Sequence, residues 1–126
     1  MVTITLPWPP TVNSYYRSPR SGRLAGRTLI SEQGRSYRQA VRESVTAAHL
    51  GSFSGLVRVT VEAWMPDRRK RDLDNLHKGI LDGLTHAGVW EDDSQIDDLR
   101  IYRCRAATGE LVIEKPGRVV VTIEAI

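Results

Sequence analysis

One cysteine, Cys104, stands in 126 residues. An internal disulfide is therefore excluded, and so is a cysteine-built zinc site. No apolar run approaches the ~18 residues of a membrane span, and the N-terminus lacks the basic-then-apolar pattern of a secretory signal. Repeats, low-complexity tracts and interdomain linkers are missing too. The histidines His49, His77 and His86 show no metal-ligand spacing. Together these absences point to a cytoplasmic protein of one domain, residues 1–126, large enough to bury a core. Hydrophobic residues at 40% and charged residues at 26% argue against wholesale disorder.

What is present is charge, unevenly divided. Residues 1–71 carry twelve Lys or Arg against four Asp or Glu, a balance of +8; residues 72–126 carry six against eleven, a balance of −5. Fifteen of the eighteen cations are Arg, whose planar fork suits bidentate phosphate binding. An Arg-favouring codon bias explains the Arg excess equally well, but not the split.

Along the chain, Val2–Leu6 alternates with period two and reads as a strand that Pro7-Trp8-Pro9-Pro10 ends. A basic loop follows, in which Tyr15 or Tyr16 could stack on a base while Arg17 and its neighbours meet phosphates. A solvated loop with the tyrosines tucked onto the core is the alternative. Ser31 is placed as the N-cap of an amphipathic helix over residues 32–49, whose Arg35, Arg38 and Arg42 share a polar face that is read as solvated, with a phosphate-facing stripe as the alternative. Val57–Met65 alternates strongly. A second helix covers residues 73–87, with Gly88 as its stop. Ile96–Arg105, a short Leu111–Ile113 and Val119–Ile126 complete the strands. The order predicts an α+β fold, a mixed sheet with two main helices. Cys104 is expected to be a small buried residue.

Between strand and second helix lies the most telling stretch. Arg68-Arg69-Lys70-Arg71 runs directly into Asp72 and Asp74, and Asp92-Asp93 follows the helix. Like charges spaced i, i+2 would force one carboxylate to hold its proton unless a cation shares the site. A hard divalent ion, Mg²⁺ or Mn²⁺ in its place, resolves the conflict. It could polarise a phosphodiester and activate a water. Lys78, four residues after Asp74 on the same helix face, could orient that carboxylate or neutralise developing charge. The plainer alternative makes Asp72 an N-cap, Asp74 a first-turn anion and Asp74–Lys78 a surface pair. It leaves the adjoining cations and Asp92-Asp93 unexplained. An EF-hand is excluded, since the loop glycine and terminal Glu are absent. A restriction-type core starting at Pro66-Asp67 lacks its later carboxylate-x-Lys partner.

Asp93 poses a geometric problem. A helix from Asp74 to Ala87 is about 20 Å long at ~1.5 Å per residue, and six further residues span at most about 20 Å. Asp93 rejoins Asp72 and Asp74 within one chain only by doubling straight back; otherwise it completes the site of a second subunit.

The run from Pro66 to Lys78, with Asp82-Gly83-Leu84-Thr85-His86-Ala87-Gly88-Val89-Trp90-Glu91-Asp92-Asp93-Ser94-Gln95-Ile96, resembles the signature of the RusA Holliday junction resolvases. Leu6-Pro7-Trp8-Pro9-Pro10 with Asn13 and Tyr15-Tyr16-Arg17, and Ser31-Glu32-Gln33-Gly34 before Tyr37-Arg38, extend the likeness over nearly the whole chain. The resemblance implies a homodimeric, Mg²⁺-dependent endonuclease that nicks four-way junctions symmetrically in recombination and repair, often carried by phages or prophages. Asp72, Asp74 and Asp93 would be its essential carboxylates, with Asp92 beside them as a further metal ligand, and Lys78 its essential lysine. Arg68, Arg69, Lys70 and Arg71 would contact the DNA backbone, with Asn75, Tyr15, Tyr16 and Arg17 close by. The expected partners are four-way or branched DNA and a second copy of the chain, with no membrane and no small-molecule substrate. Residues 18–28 and 108–116 and the C-terminus match poorly. The competing reading is a non-catalytic DNA-binding or architectural protein of phage or prophage origin.

Overall fold

Alternation along the strands decides which face of the sheet is covered. In the computed structural model, which describes residues 1–126, Val57, Val59, Val61 and Ala63 are buried while Arg58, Thr60, Glu62 and Trp64 between them are half-exposed. These residues form β4, Val57–Trp64. β1 (Val2–Pro7) and β6 (Arg118–Ala125) repeat the pattern with Ile4, Leu6, Val119, Val121 and Ile123 inward. Burying each such side chain stabilises the fold by roughly 1.5–3 kcal/mol. With β5 (Ile96–Arg103) they make a four-stranded sheet ordered β1-β6-β4-β5. The sheet is mixed: β6 runs antiparallel to β1 and to β4, whereas β4 and β5 are parallel.

Helices cover the inward face. Thr11 caps a single turn, α1 (Val12–Tyr15), by accepting from the Ser14 amide, and the two-residue strands β2 (Tyr16–Arg17) and β3 (Leu29–Ile30) pair after it. Ser31 caps α2 (Glu32–Ala47) as its sequence position predicts, accepting from Gly34 N at 3.0 Å. α2 ends two residues early, where His49 turns to φ 53°. It packs on α3 (His77–His86), and a Cβ on Gly83 would meet Val41 at 3.0 Å. The core is continuous from Ile4 to Ile123.

Three expectations are corrected. The second helix is interrupted: Leu73–Asn75 is a 3₁₀ turn, and α-helix begins only at His77. The ten residues of α3 therefore span about 15 Å at ~1.5 Å each. Leu111–Ile113 forms no strand, only isolated bridges from Leu111 to Arg105 and from Ile113 to Met65. β5 stops at Arg103; its weak alternation reflects its place at the sheet edge, where Leu99 stays 41% and Tyr102 46% exposed. No helix is long and apolar enough to cross a membrane.

Candidate active site and DNA-facing surface

The segment after β4 is held by its own charges. Asp67 accepts the Arg69 amide at 2.9 Å, and its two oxygens take Arg71 Nη1 and Nη2 at 2.5 and 3.0 Å. Hydrogen bonds from Arg71 hold the Asp67 carboxyl well below the usual carboxylate range. Arg71 also lies 5.8 Å from the Trp8 ring centre, and its carbonyl accepts from Arg103 Nη2. The four expected DNA-contacting cations thus divide. Arg68, Arg69 and Lys70 are exposed, whereas Arg71 is turned inward and engaged by Asp67.

Asp72 and Asp74 follow this clamp and differ from the other acids nearby. Both are exposed, and neither takes part in any ion pair of the molecule. Asp72 precedes the 3₁₀ turn without capping it through its side chain, and Asp74 and Lys78 form no surface pair. Asp72 lines a groove with Thr11, Lys70 and Asn75. Asp74 lines a separate one with Leu73, His77, Leu99 and Ile101, against the free edge of β5. Exposed oxygens with no cation bound to them fit a hard divalent ion.

Asp93 lies elsewhere. Trp90 is buried and donates to Thr85 Oγ1 at 2.7 Å, which fixes the chain as it leaves α3. The turn that follows is then pinned to the start of β4: Gln95 Nε2 donates to the carbonyls of Phe53 and Gly55 at 2.8 and 2.9 Å, while its Oε1 accepts the Glu91 amide at 2.9 Å. Asp92 caps this turn by accepting from Ser94, and hydrogen bonding to Ser94 lowers its carboxyl pKa. Asp92 therefore has a structural use, while Asp93 is exposed and takes part in no ion pair. Ile96 pairs with Val57 and Arg103 with Ala63, so Asp93 precedes the beginning of β5 while Asp72 sits at its end. Eight residues of strand separate those ends, about 23 Å at ~3.3 Å per residue. No three acidic, histidine or cysteine side chains of one chain are grouped to hold a metal.

Tyr15 corrects another expectation. Its ring is fully buried, so it is unavailable for base stacking. Its hydroxyl donates to Asp82, and Arg38 Nε donates to Asp82 at 2.7 Å and to the Tyr15 oxygen at 3.1 Å. Arg38 is therefore not on a solvated face. Two glycines let this segment pack closely: a Cβ on Gly79 would meet the Tyr15 ring at 3.2 Å, and one on Gly34 would meet the Tyr15 carbonyl at 2.5 Å. Tyr16 is half-buried with its ring edge-on to Tyr15 at 5.0 Å, and only Arg17 of this group is exposed.

Burial pushes the Asp82 carboxyl up, but the bonds from Arg38 and Tyr15 outweigh it and leave the pKa lowered. Its stabilising effect is thus complete above the ordinary carboxylate range, near ~4, and is lost as pH falls through the lower folded value. Asp82→Ala should cost roughly 2 kcal/mol at neutral pH. Thermal melts between pH 2 and 7 should show that difference shrinking toward the acid end. Equal melting temperatures at pH 7 would refute the role.

Sequence reasoning missed Asp67, Arg103 and Arg105. The i, i+4 spacing of Asp67 and Arg71 was a usable signal. The two arginines, at alternate positions where β5 ends, were another once β4 and β5 were known to be parallel. Cys104 is buried as expected, and desolvation raises its thiol pKa, so it is no nucleophile.

A basic loop feeding two unpaired carboxylates at a sheet edge is the equipment of an enzyme acting on a polyanion. Comparison with known proteins agrees: residues 7–124 match the family model described as endodeoxyribonuclease RusA. That defines the class, a DNA-cleaving nuclease. Crossover junction endodeoxyribonuclease RusA of Shigella sonnei and of Escherichia coli K12 are each 44% identical over 119 residues, covering 91% of this chain and 95% of theirs. The protein of that name from Enterobacteria phage 82 is 44% identical over 118 residues, 90% of this chain and 94% of its own. The chain belongs to the RusA family.

Proposed function

We propose that residues 1–126 form one RusA-like domain, a divalent-metal-dependent endodeoxyribonuclease that resolves four-way DNA junctions by paired nicks in opposing strands. It works as a homodimer in which each active site joins Asp72 and Asp74 of one subunit to Asp93 of the partner subunit. The observation that carries this reading is the parallel pairing of β4 with β5, which holds Asp72 and Asp93 about 23 Å apart at opposite ends of one strand. Two β5 edges meeting antiparallel about a two-fold axis would bring the start of each strand to the end of the other. The β5 edge is unpaired, and Leu99 and Ile101 flank Asp74 in the groove beside it. A second copy seated there buries exposed apolar surface and completes the acid cluster in one step.

Mg²⁺, or Mn²⁺ in its place, would supply activation of a water and stabilisation of the leaving oxygen. The chain's own part is division of labour. Arg68, Arg69 and Lys70 draw in the phosphate backbone, Asp67 and Arg103 hold the segment carrying Asp72, and Lys78, at the start of α3, neutralises developing charge. A purely architectural DNA-binding role leaves Asp72 and Asp74 unpaired beside a basic loop, where they repel phosphate. The substrate implies a cytoplasmic, DNA-associated location.

The test is incubation with an end-labelled four-way junction and a matched linear duplex. Paired nicks should appear in the junction alone and only with Mg²⁺ or Mn²⁺, while EDTA stops cleavage and leaves the gel-shifted complex. A junction bound but uncut with metal present would overturn the proposal.

A further inference from the structure

The basic loop supplies only one wall of the groove it faces. Opposite stands a wall from a different element, the end of β5 and the hairpin after it. The Ala106 amide donates to the Glu110 carbonyl at 2.9 Å and the Gly109 amide to the Ala106 carbonyl at 2.8 Å, while Cys104 and Ala63 join at 2.9 Å. This folds the chain back tightly and leaves Arg105 exposed beside Arg68 and Lys70, with Asp72 in the same groove of about 370 Å³. Arg105 Nη1 donates to the Gly109 carbonyl at 2.9 Å. That bond steadies the guanidinium at one nitrogen and leaves its other donors free of protein acceptors. Neither Arg103 nor Arg105 belongs to any ion pair of the molecule. The Arg71 charge in this groove is already met by Asp67, so the remaining cations greatly outnumber the one free carboxylate. Such a groove is complementary to a compact, multiply charged anion with several oxygens.

We propose that this groove seats a backbone phosphate of the bound DNA adjacent to the one that is cut. Arg105 is its ligand from the hairpin side, and Arg103 is a positioning residue that holds the opposite wall through the Arg71 carbonyl. The inference rests on the nuclease reading, because Asp72 shares the groove, and it adds a contact that the central motif does not contain. It also gives the hairpin at residues 104–113 a use: it carries a phosphate ligand to the site from outside the loop.

The experiment measures binding of a fluorescent four-way junction in EDTA, where no cutting interferes, from 50 to 300 mM NaCl. Each neutralised phosphate contributes about 0.9 to the slope of log affinity against log salt. Arg105→Gln should reduce the slope by about 1 and weaken binding several-fold at the low-salt end. Arg105→Lys should keep the wild-type slope, since the charge remains. Arg42→Gln, on the exposed side of α2, should change neither. Far-ultraviolet circular dichroism of each variant checks that the fold is kept. An unchanged slope in Arg105→Gln, or an equal fall in Arg42→Gln, would overturn the assignment. A wild-type chain that binds no junction would instead overturn the proposed function, before any variant is made.

Discussion

Two inactive variants, mixed, should regain cleavage. Asp74→Asn alone and Asp93→Asn alone are each expected to lose at least a hundredfold in rate, about the scale of removing one preorganised electrostatic contact from an active site. Junction binding should persist in both, because neither change touches the cations. In a mixed dimer, one site combines both lesions, while the other draws Asp72 and Asp74 from the second variant and Asp93 from the first. It is intact. With free subunit exchange at equal amounts, roughly a quarter of all sites should be whole. The product should change as well, from paired nicks to single ones, because no mixed dimer has two working sites. A site closed within one chain predicts the opposite: every site in the mixture keeps one lesion and the mixture stays dead. The parallel β4–β5 register and the Gln95 bonds to the start of β4 favour the first outcome.

Leu99→Arg should abolish activity by another route. Leu99 is 41% exposed on the unpaired edge of β5 and lines the groove that holds Asp74. A charge there forbids a second copy from pressing against the strand, in the way natural edge strands use charge to block pairing. Sedimentation should report monomers where the wild type gives dimers. Circular dichroism should be unchanged, since the side chain is not part of the buried core. Cleavage should fall nearly as far as in the carboxylate variants although Asp72, Asp74, Asp93 and Lys78 are all present. A dimeric Leu99→Arg protein cutting at the wild-type rate would refute the β5 edge as the contact surface.

Much of the architecture was legible because burial writes itself into alternation. Val57, Val59, Val61 and Ala63 against Arg58, Thr60 and Glu62 announce a strand covered on one face, and Ser31 ahead of a helical pattern announces its start. Which strand pairs with which does not show in such patterns. The parallel neighbour of β4 emerges only when Trp90 is buried and Gln95 reaches Phe53 and Gly55. Tyr15 was misread for a related reason. Its ring lies against Gly79 and its carbonyl against Gly34, which are far away in sequence and supply an absence of side chain rather than a signal. Arg71 looked like one of four equivalent cations because its partner, Asp67, stands on the other side of them. The carboxylates Asp72, Asp74 and Asp93 stood out by their clustering, and helix length already suggested that Asp93 lies apart from the other two. That hint overstated the helix, which begins at His77. The separation comes from the strand instead.

Gln95 ties the acidic turn to the wrong end of its own sheet for solitary use. If the site is shared as proposed, a lone subunit carries all the carboxylates but not together. While subunits are scarce, the number of sites so completed would rise with the square of their concentration, so a twofold change in synthesis would alter cutting about fourfold. A nuclease aimed at branched DNA would gain from this arrangement. At low subunit concentration, dilution itself would then hold cutting down.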